Sequence, residues 1–187
     1  CTFAEYIEHV GLELPYSEIY LIISQICSAM EHAHQQGVVH RDLKPENVFL
    51  LGGPSDIGMV KMLDFGIAKH VSRDAKSVSE TQCGQIVGTL HYMSPEQLGG
   101  DPTQVDTRSD VYTLGVIGYG LIAGRQPIDL DGTSFAQAAL KIQESEPVRL
   151  GSLDRRWRGD LELICAQALS KEPGQRYASA GELANDV

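Results

Sequence analysis

The sequence predicts a mainly α fold with one small β-hairpin, an α+β domain forming a single unit over residues 1–187. Three observations predict it. Apolar residues recur at spacings of three and four through Ile19, Ile22, Ile23, Ile26 and Met30, which marks one buried helix face. The stretch from Val111 to Ala123 is apolar nearly all round, as a helix buried on every side would be. Two short apolar runs, Val48 to Leu51 and Met59 to Leu63, flank Gly52-Gly53-Pro54-Ser55-Asp56, a turn-forming cluster, and together read as a hairpin.

The remaining elements follow in order. Phe3 to Val10 reads as a short helix stopped by Gly11. Pro15 and Ser17 open the long helix, which closes at Gly37, and Val38-Val39-His40 is extended. From Gly66 to Gln97 periodicity is weak and Ser, Thr and Gly abound, so a long functional loop is expected. Gly115, Gly118 and Gly120 lie inside the buried helix. Each costs about 1 kcal/mol against Ala there, which suits close approach of other elements to the backbone. Thr133 starts an amphipathic helix to about Gln143, Asp160 caps another, and Ser179 with Glu182 forms a capping box for a last one.

Composition narrows the function. The 187 residues are 42% hydrophobic and 21% charged, a globular mix that excludes a disordered chain. A net charge of −10 disfavours nucleic acid and anionic membrane surfaces as partners. The Val111–Ala123 stretch is too short to span a bilayer. Cys1, Cys27, Cys83 and Cys165 form no C-x-x-C pair and are expected to be reduced thiols of a cytoplasmic protein. Residue 1 is Cys and residue 187 falls within a helical pattern, so a longer parent chain is expected, with any membrane anchor outside this segment.

The chemistry concentrates in His40-Arg41-Asp42-Leu43-Lys44-Pro45-Glu46-Asn47, followed by Asp64-Phe65-Gly66 and later Ser94-Pro95-Glu96. Asp42 and Asn47 lie on a short loop before the first strand, and Asp64 lies just after the second. Folding the hairpin brings Asn47 and Asp64 together, two oxygen donors of the kind Mg²⁺ prefers alongside phosphate and water. Asp42 supplies a proton acceptor beside them and Lys44 a fixed cation. Such a set suits in-line phosphoryl transfer, in which positioning and charge neutralisation do most of the catalysis.

These motifs, in this order, resemble the C-terminal lobe of a eukaryotic-type (Hanks-type) serine/threonine protein kinase. The Gly88–Gln97 and Lys171–Tyr177 stretches are most similar to bacterial members. The resemblance covers the whole chain and implies a helical C-lobe whose hairpin carries the catalytic loop (40–47) and the start of the activation segment (64–96), with the N-lobe absent. It implies ATP and Mg²⁺ as cofactors and Ser/Thr residues of proteins as substrates. Asp42 would orient the substrate hydroxyl and accept its proton, Lys44 would contact the γ-phosphate, and Asn47 and Asp64 would hold metal. Phe49 would lie beneath the adenine. Thr89 would border the substrate and bond the Asp42–Lys44 pair. Glu96 and Arg176 would form a buried ion pair, and Asp110 would accept backbone bonds from the His40-Arg41 turn. His40 and Phe65 would stack in the regulatory spine, and His34 matches a structural position rather than a metal ligand.

Arg41 and Lys69 would receive a phosphate on the loop, with Thr81 the best candidate phosphosite and Ser79, Ser77 and Ser72 behind it. Leu90 stands where many members have Pro and Ser94 where Ala is commoner, neither being expected to touch the chemistry. No G-x-G-x-x-G loop, β3 lysine or αC glutamate occurs in the sequence, so the segment alone is expected to be inactive and to need the missing N-lobe as its partner. A pseudokinase or docking module is the alternative function, and intact Asp42, Lys44, Asn47 and Asp64 argue against it. A small-molecule phosphotransferase would be expected to lack the Ser-Pro-Glu segment.

Overall fold

A computed structural model describes residues 1–10, 15–53, 56–65 and 88–187. The elements are α1 (Phe3–Val10), α2 (Tyr16–Gln35), β1 (Val48–Gly53), β2 (Asp56–Met62), α3 (Pro95–Leu98), α4 (Thr107–Ala123), α5 (Phe135–Glu144), α6 (Leu150–Leu153), α7 (Asp160–Ala168) and α8 (Ala180–Asp186). Short 3₁₀ turns stand at Pro45–Asn47, Pro102–Gln104, Arg155–Trp157 and Pro173–Gln175.

The predicted faces of α2 and α4 meet in one core. Ile22, Ile26 and Met30 of α2 are fully buried with Val111, Leu114 and Ile117 of α4, and Val48, Leu50 and Val60 bring the hairpin against them. Each such side chain contributes about 1.5–3 kcal/mol on leaving water. A second cluster joins Tyr112, Val116 and Tyr119 on the other side of α4 to Leu150, Cys165 and Leu169. A helix with apolar neighbours on both sides needs no polar face, which is why its sequence shows none.

The strands pair antiparallel, with Val48 opposite Met62 and Leu51 opposite Met59, and a bulge follows Leu51. Strand pairing extends into Gly52, Gly53 and Asp56, residues expected to be turn. Gly58 is the extra residue, and a Cβ there would stand 2.5 Å from the Leu51 carbonyl oxygen. Gln25 of α2 holds the β2 edge: Val60 N donates to its Oε1 at 3.0 Å.

Several boundaries differ from expectation. Most of the expected 66–97 loop, residues 66–87, lies outside the described residues; within the described part, residues 88–90 are helical and α3 begins at Pro95. Helix α4 starts at Thr107, where the Asp106 side chain accepts from Arg108 N. Its polar first turn hid that start from any reading of apolar runs. Ser134, not Thr133, caps α5. Asp160 is the first residue of α7, and Gly159 is its cap. At α8, Ser179 accepts from Glu182 N, but the Glu182 carboxylate accepts from Ala178 N rather than closing a box on Ser179. Only one of the three α4 glycines is needed for close packing. A Cβ on Gly115 would lie 2.8 Å from the Ala168 Cβ, whereas Gly118 and Gly120 face open space. Gly118 lines a small apolar cavity of about 70 Å³ between α2, α4 and α7.

Candidate active site

The turn entering the 40–47 loop is built on one carboxylate. Asp110, 1% exposed in the first turn of α4, accepts from His40 N at 2.8 Å through Oδ2 and from Arg41 N at 3.0 Å through Oδ1. His34 Nε2 meets the same Oδ2 at 2.8 Å, so helix α2 steadies the carboxylate. Arg41 takes φ +64°, a left-handed conformation that a non-glycine residue holds only where its surroundings impose it. The imidazole of His40 is fully buried, with Nδ1 3.4 Å from the Asp42 backbone N–H and Nε2 3.2 Å from the Leu63 carbonyl. The tautomer that satisfies both contacts carries its proton on Nε2. The His40 and Phe65 rings lie 4.7 Å apart, tilted by 42°.

Around this turn sit the predicted chemical groups. Asn47 Nδ2 donates to the Asp42 carbonyl at 2.8 Å, with the Asp42 carboxylate 3.5 Å away. Lys44 Nζ stands 3.9 Å from Asp42 Oδ2, and both side chains are largely shielded, at 19% and 10% exposure. Leu63 N donates to the Asn47 carbonyl at 2.8 Å, so the backbone carries Asp64 to the side of the loop that bears Asn47. Asp64 is exposed and takes φ +51°. Phe49 is half-buried on β1, two residues after Asn47. Thr89 is half-buried in the helical 88–90 stretch, and its carbonyl accepts from Tyr92 N at 3.2 Å.

The donor set fits the implied metal. The Asn47 Nδ2 bond to the loop leaves the amide oxygen as the atom available to a cation, and Asp64 offers a carboxylate to solvent. Hard oxygens in ones and twos, completed by phosphate and water, are what Mg²⁺ takes. Among the described residues, no group of three or more His, Cys, Asp or Glu converges as a self-sufficient metal site.

Away from the loop, Glu96 and Arg176 meet bidentately, at 2.7 and 2.8 Å. The Arg176 side chain is 0% exposed and that of Glu96 is 8% exposed. Ser109 Oγ adds a bond to Glu96 Oε1 at 2.6 Å. Burial pushes the Glu96 carboxyl up, but the Arg176 and Ser109 hydrogen bonds outweigh it, and its pKa falls below the ordinary carboxylate value. Lys171, whose Nζ donates to the Ile142 carbonyl at 2.6 Å, is pushed down to about 8, chiefly by burial.

Lys69 and the candidate phosphosites Ser72, Ser77, Ser79 and Thr81 lie outside the described residues, as does Cys83. Arg41 is described and its side chain is exposed. Cys27 and Cys165 are buried free thiols, each pushed up to about 12 by burial, and Cys1 is an exposed one. No described helix is long and apolar enough to cross a membrane. Both unusual residues have physical roles. Leu90 is fully buried against Ile128, Leu130, Ala138 and Ile142. Ser94, also fully buried, donates from its backbone N–H and its hydroxyl to Gln97 Oε1 at 2.8 and 3.1 Å. Ser109, beside the apolar stretch of α4, and Gln97, just after the Ser-Pro-Glu motif, are single polar residues without a periodic signal, so the sequence does not mark them as partners of the site.

The family model described as "Protein kinase domain" matches residues 2–186. Among curated relatives, serine/threonine-protein kinase Pkn1 of Myxococcus xanthus is 41% identical over 94% of this chain and 24% of its own length. Serine/threonine-protein kinase PknB of Mycobacterium leprae is 35% identical over 97% of this chain and 27% of its own length. The chain thus spans about a quarter of the length of these relatives. Among solved structures, a C20A_R136A double mutant of the Mycobacterium tuberculosis PknI kinase domain superposes with a TM-score of 0.67 at 26% identity, covering 98% of this chain and 59% of that one. With a helical lobe, a two-stranded hairpin and a family match over nearly every residue, the chain belongs to the protein kinase domain family.

Proposed function

We propose that this segment is the catalytic C-lobe of a serine/threonine protein kinase that transfers the ATP γ-phosphate to Ser and Thr hydroxyls of proteins. The observation that carries the reading is the convergence of Asp42, Lys44 and Asn47 on one loop at the end of the hairpin that bears Asp64. The names of the bacterial relatives favour Ser/Thr acceptors, as does a lysine two residues after the aspartate. Bound Mg-ATP would supply the phosphoryl group and neutralise its developing charge. Asp42 orients the acceptor hydroxyl and takes its proton, work worth about 10²–10⁴-fold in rate. Lys44 holds the γ-phosphate side of the nucleotide, Asn47 and Asp64 hold the metal, Phe49 lies under the base, and Thr89 borders the acceptor residue.

The segment works within a longer polypeptide that supplies the glycine-rich loop and the β3 lysine, and the 187 residues alone are inactive. Arg41 and Lys69 receive a phosphate placed on the loop, with Thr81 as its site and Ser79 and Ser77 behind it. The test is labelled-phosphate transfer to a protein acceptor by the longer polypeptide, wild type against Asp42→Asn. Incorporation should fall to background in the variant; equal incorporation overturns the reading. A phosphopeptide map of the active enzyme should carry phosphate between Ser72 and Thr81.

A further inference from the structure

One side chain links the two halves of this site, and the motifs do not announce it. Gln97 occupies the last turn of α3, next to Glu96. Its Nε2 donates to the Arg41 carbonyl at 2.7 Å, across 56 residues of sequence. Its Oε1 accepts from the Ser94 backbone N–H at 2.8 Å and from the Ser94 hydroxyl at 3.1 Å. The amide orientation is therefore fixed chemically. The Ser94 N–H can only donate and the Arg41 carbonyl can only accept, so the oxygen must face Ser94 and the nitrogen must face Arg41.

Arg41 is the residue whose backbone needs holding. It sits at φ +64° immediately before Asp42. Its N–H is taken by Asp110 and its carbonyl by Gln97, so the peptide units on both sides of its Cα are clamped. The peptide that carries the Arg41 carbonyl is the one that leads into Asp42. The clamp on it comes from the same short helix whose Glu96 is gripped by Arg176 and Ser109. Consecutive side chains of one turn thus reach the buried anchor and the catalytic loop.

We propose that Gln97 is a positioning residue for phosphoryl transfer: through the Arg41 carbonyl it sets the direction of Asp42 and ties that direction to the anchored end of the activation segment. The proposal rests on the reading of Asp42 as the group that handles the acceptor hydroxyl. Gln97→Glu keeps the size but places oxygen against the Arg41 carbonyl, and Gln97→Met keeps the length and removes all three bonds. Gln97→His keeps one donor and one acceptor.

The test measures kcat and KM for transfer by the longer polypeptide, alongside Asp42→Asn and thermal unfolding of every variant. Gln97→Glu and Gln97→Met should lose about ten- to a hundred-fold in kcat, as expected for a displaced reacting group. KM for ATP should stay within about twofold, as should KM for the acceptor, and Gln97→His should recover part of the loss. A purely structural role would lower the unfolding temperature and leave kcat of the folded enzyme unchanged. If Asp42→Asn is inactive while Gln97→Glu and Gln97→Met both keep kcat within twofold of wild type, the positioning role is overturned. If Asp42→Asn transfers phosphate like wild type, the catalytic reading itself fails.

Discussion

The Arg176 anchor and the Asp42 loop are both charged, and they are built in opposite ways. All five N–H donors of Arg176 are used: two on Glu96, and one each on the Ser170, Arg108 and Lys171 carbonyls. Its guanidinium also lies 5.0 Å from the centre of the Tyr112 ring. The pair is withdrawn from water and complete in itself. In the loop, Lys44 stands 3.9 Å from Asp42 and Asp64 faces solvent. A saturated set of bonds has nothing to offer a ligand, so it fixes the structure. A carboxylate held on the hairpin and open to solvent, as that of Asp64 is, keeps the bonding capacity that a metal requires. On the proposed reading, the difference separates residues that hold the lobe together from residues that would perform its chemistry, although both stand in recognisable motifs.

The sharpest way to break that contrast is to exchange the readouts. Arg176→Met should cost about 3–5 kcal/mol in urea unfolding, because Glu96 is left buried without its partner. Asp42→Asn should move the same transition by less than about 1 kcal/mol while abolishing transfer. Comparable destabilisation by both would erase the distinction.

The next effect separates the glycines of α4. Gly115→Ala drives a Cβ into Ala168 and should cost about 1–3 kcal/mol. Gly118→Ala meets open space and should stabilise the helix by up to about 1 kcal/mol. Thermal unfolding of the two variants should shift in opposite directions.

The smallest effects come from pH, and their signs differ. The pKa of Glu96 is lowered in the fold, so its contribution is present above the unfolded carboxylate value and is lost as pH falls through the folded one. Stability measured down the acid side should drop, and Glu96→Gln should flatten that drop. Lys171 is lowered to about 8 from 10.5, so between those values the unfolded chain binds more protons and stability rises with pH. Lys171→Met should remove that alkaline rise in a denaturation series.

Much of the lobe was legible in the sequence because periodicity reports burial. Ile22, Ile26 and Met30 lie in the core that their spacing implied, and Phe3–Val10 is helical as read. Helix starts were less legible. Thr107 to Asp110 are polar, yet they form the first turn of the most buried helix, since Ser109 and Asp110 serve partners brought from Glu96 and from the His40–Arg41 turn. In the sequence Leu90 and Ser94 read as neutral departures from a motif, whereas in the fold Leu90 packs in a core cluster and Ser94 binds Gln97.

The sequence by itself determined which residue types stand at the 40–47 loop, which helices are amphipathic and that a hairpin joins the two acidic motifs. These are local matters, decided by spacing, by turn chemistry and by motif order. Tertiary structure alone decided that Gln97 reaches Arg41, that His34 steadies Asp110, and that Gly115 admits Ala168 while Gly118 admits nothing. Such contacts join residues tens of positions apart. Their geometry depends on how the helices pack, and no pattern along the chain encodes a distance across it.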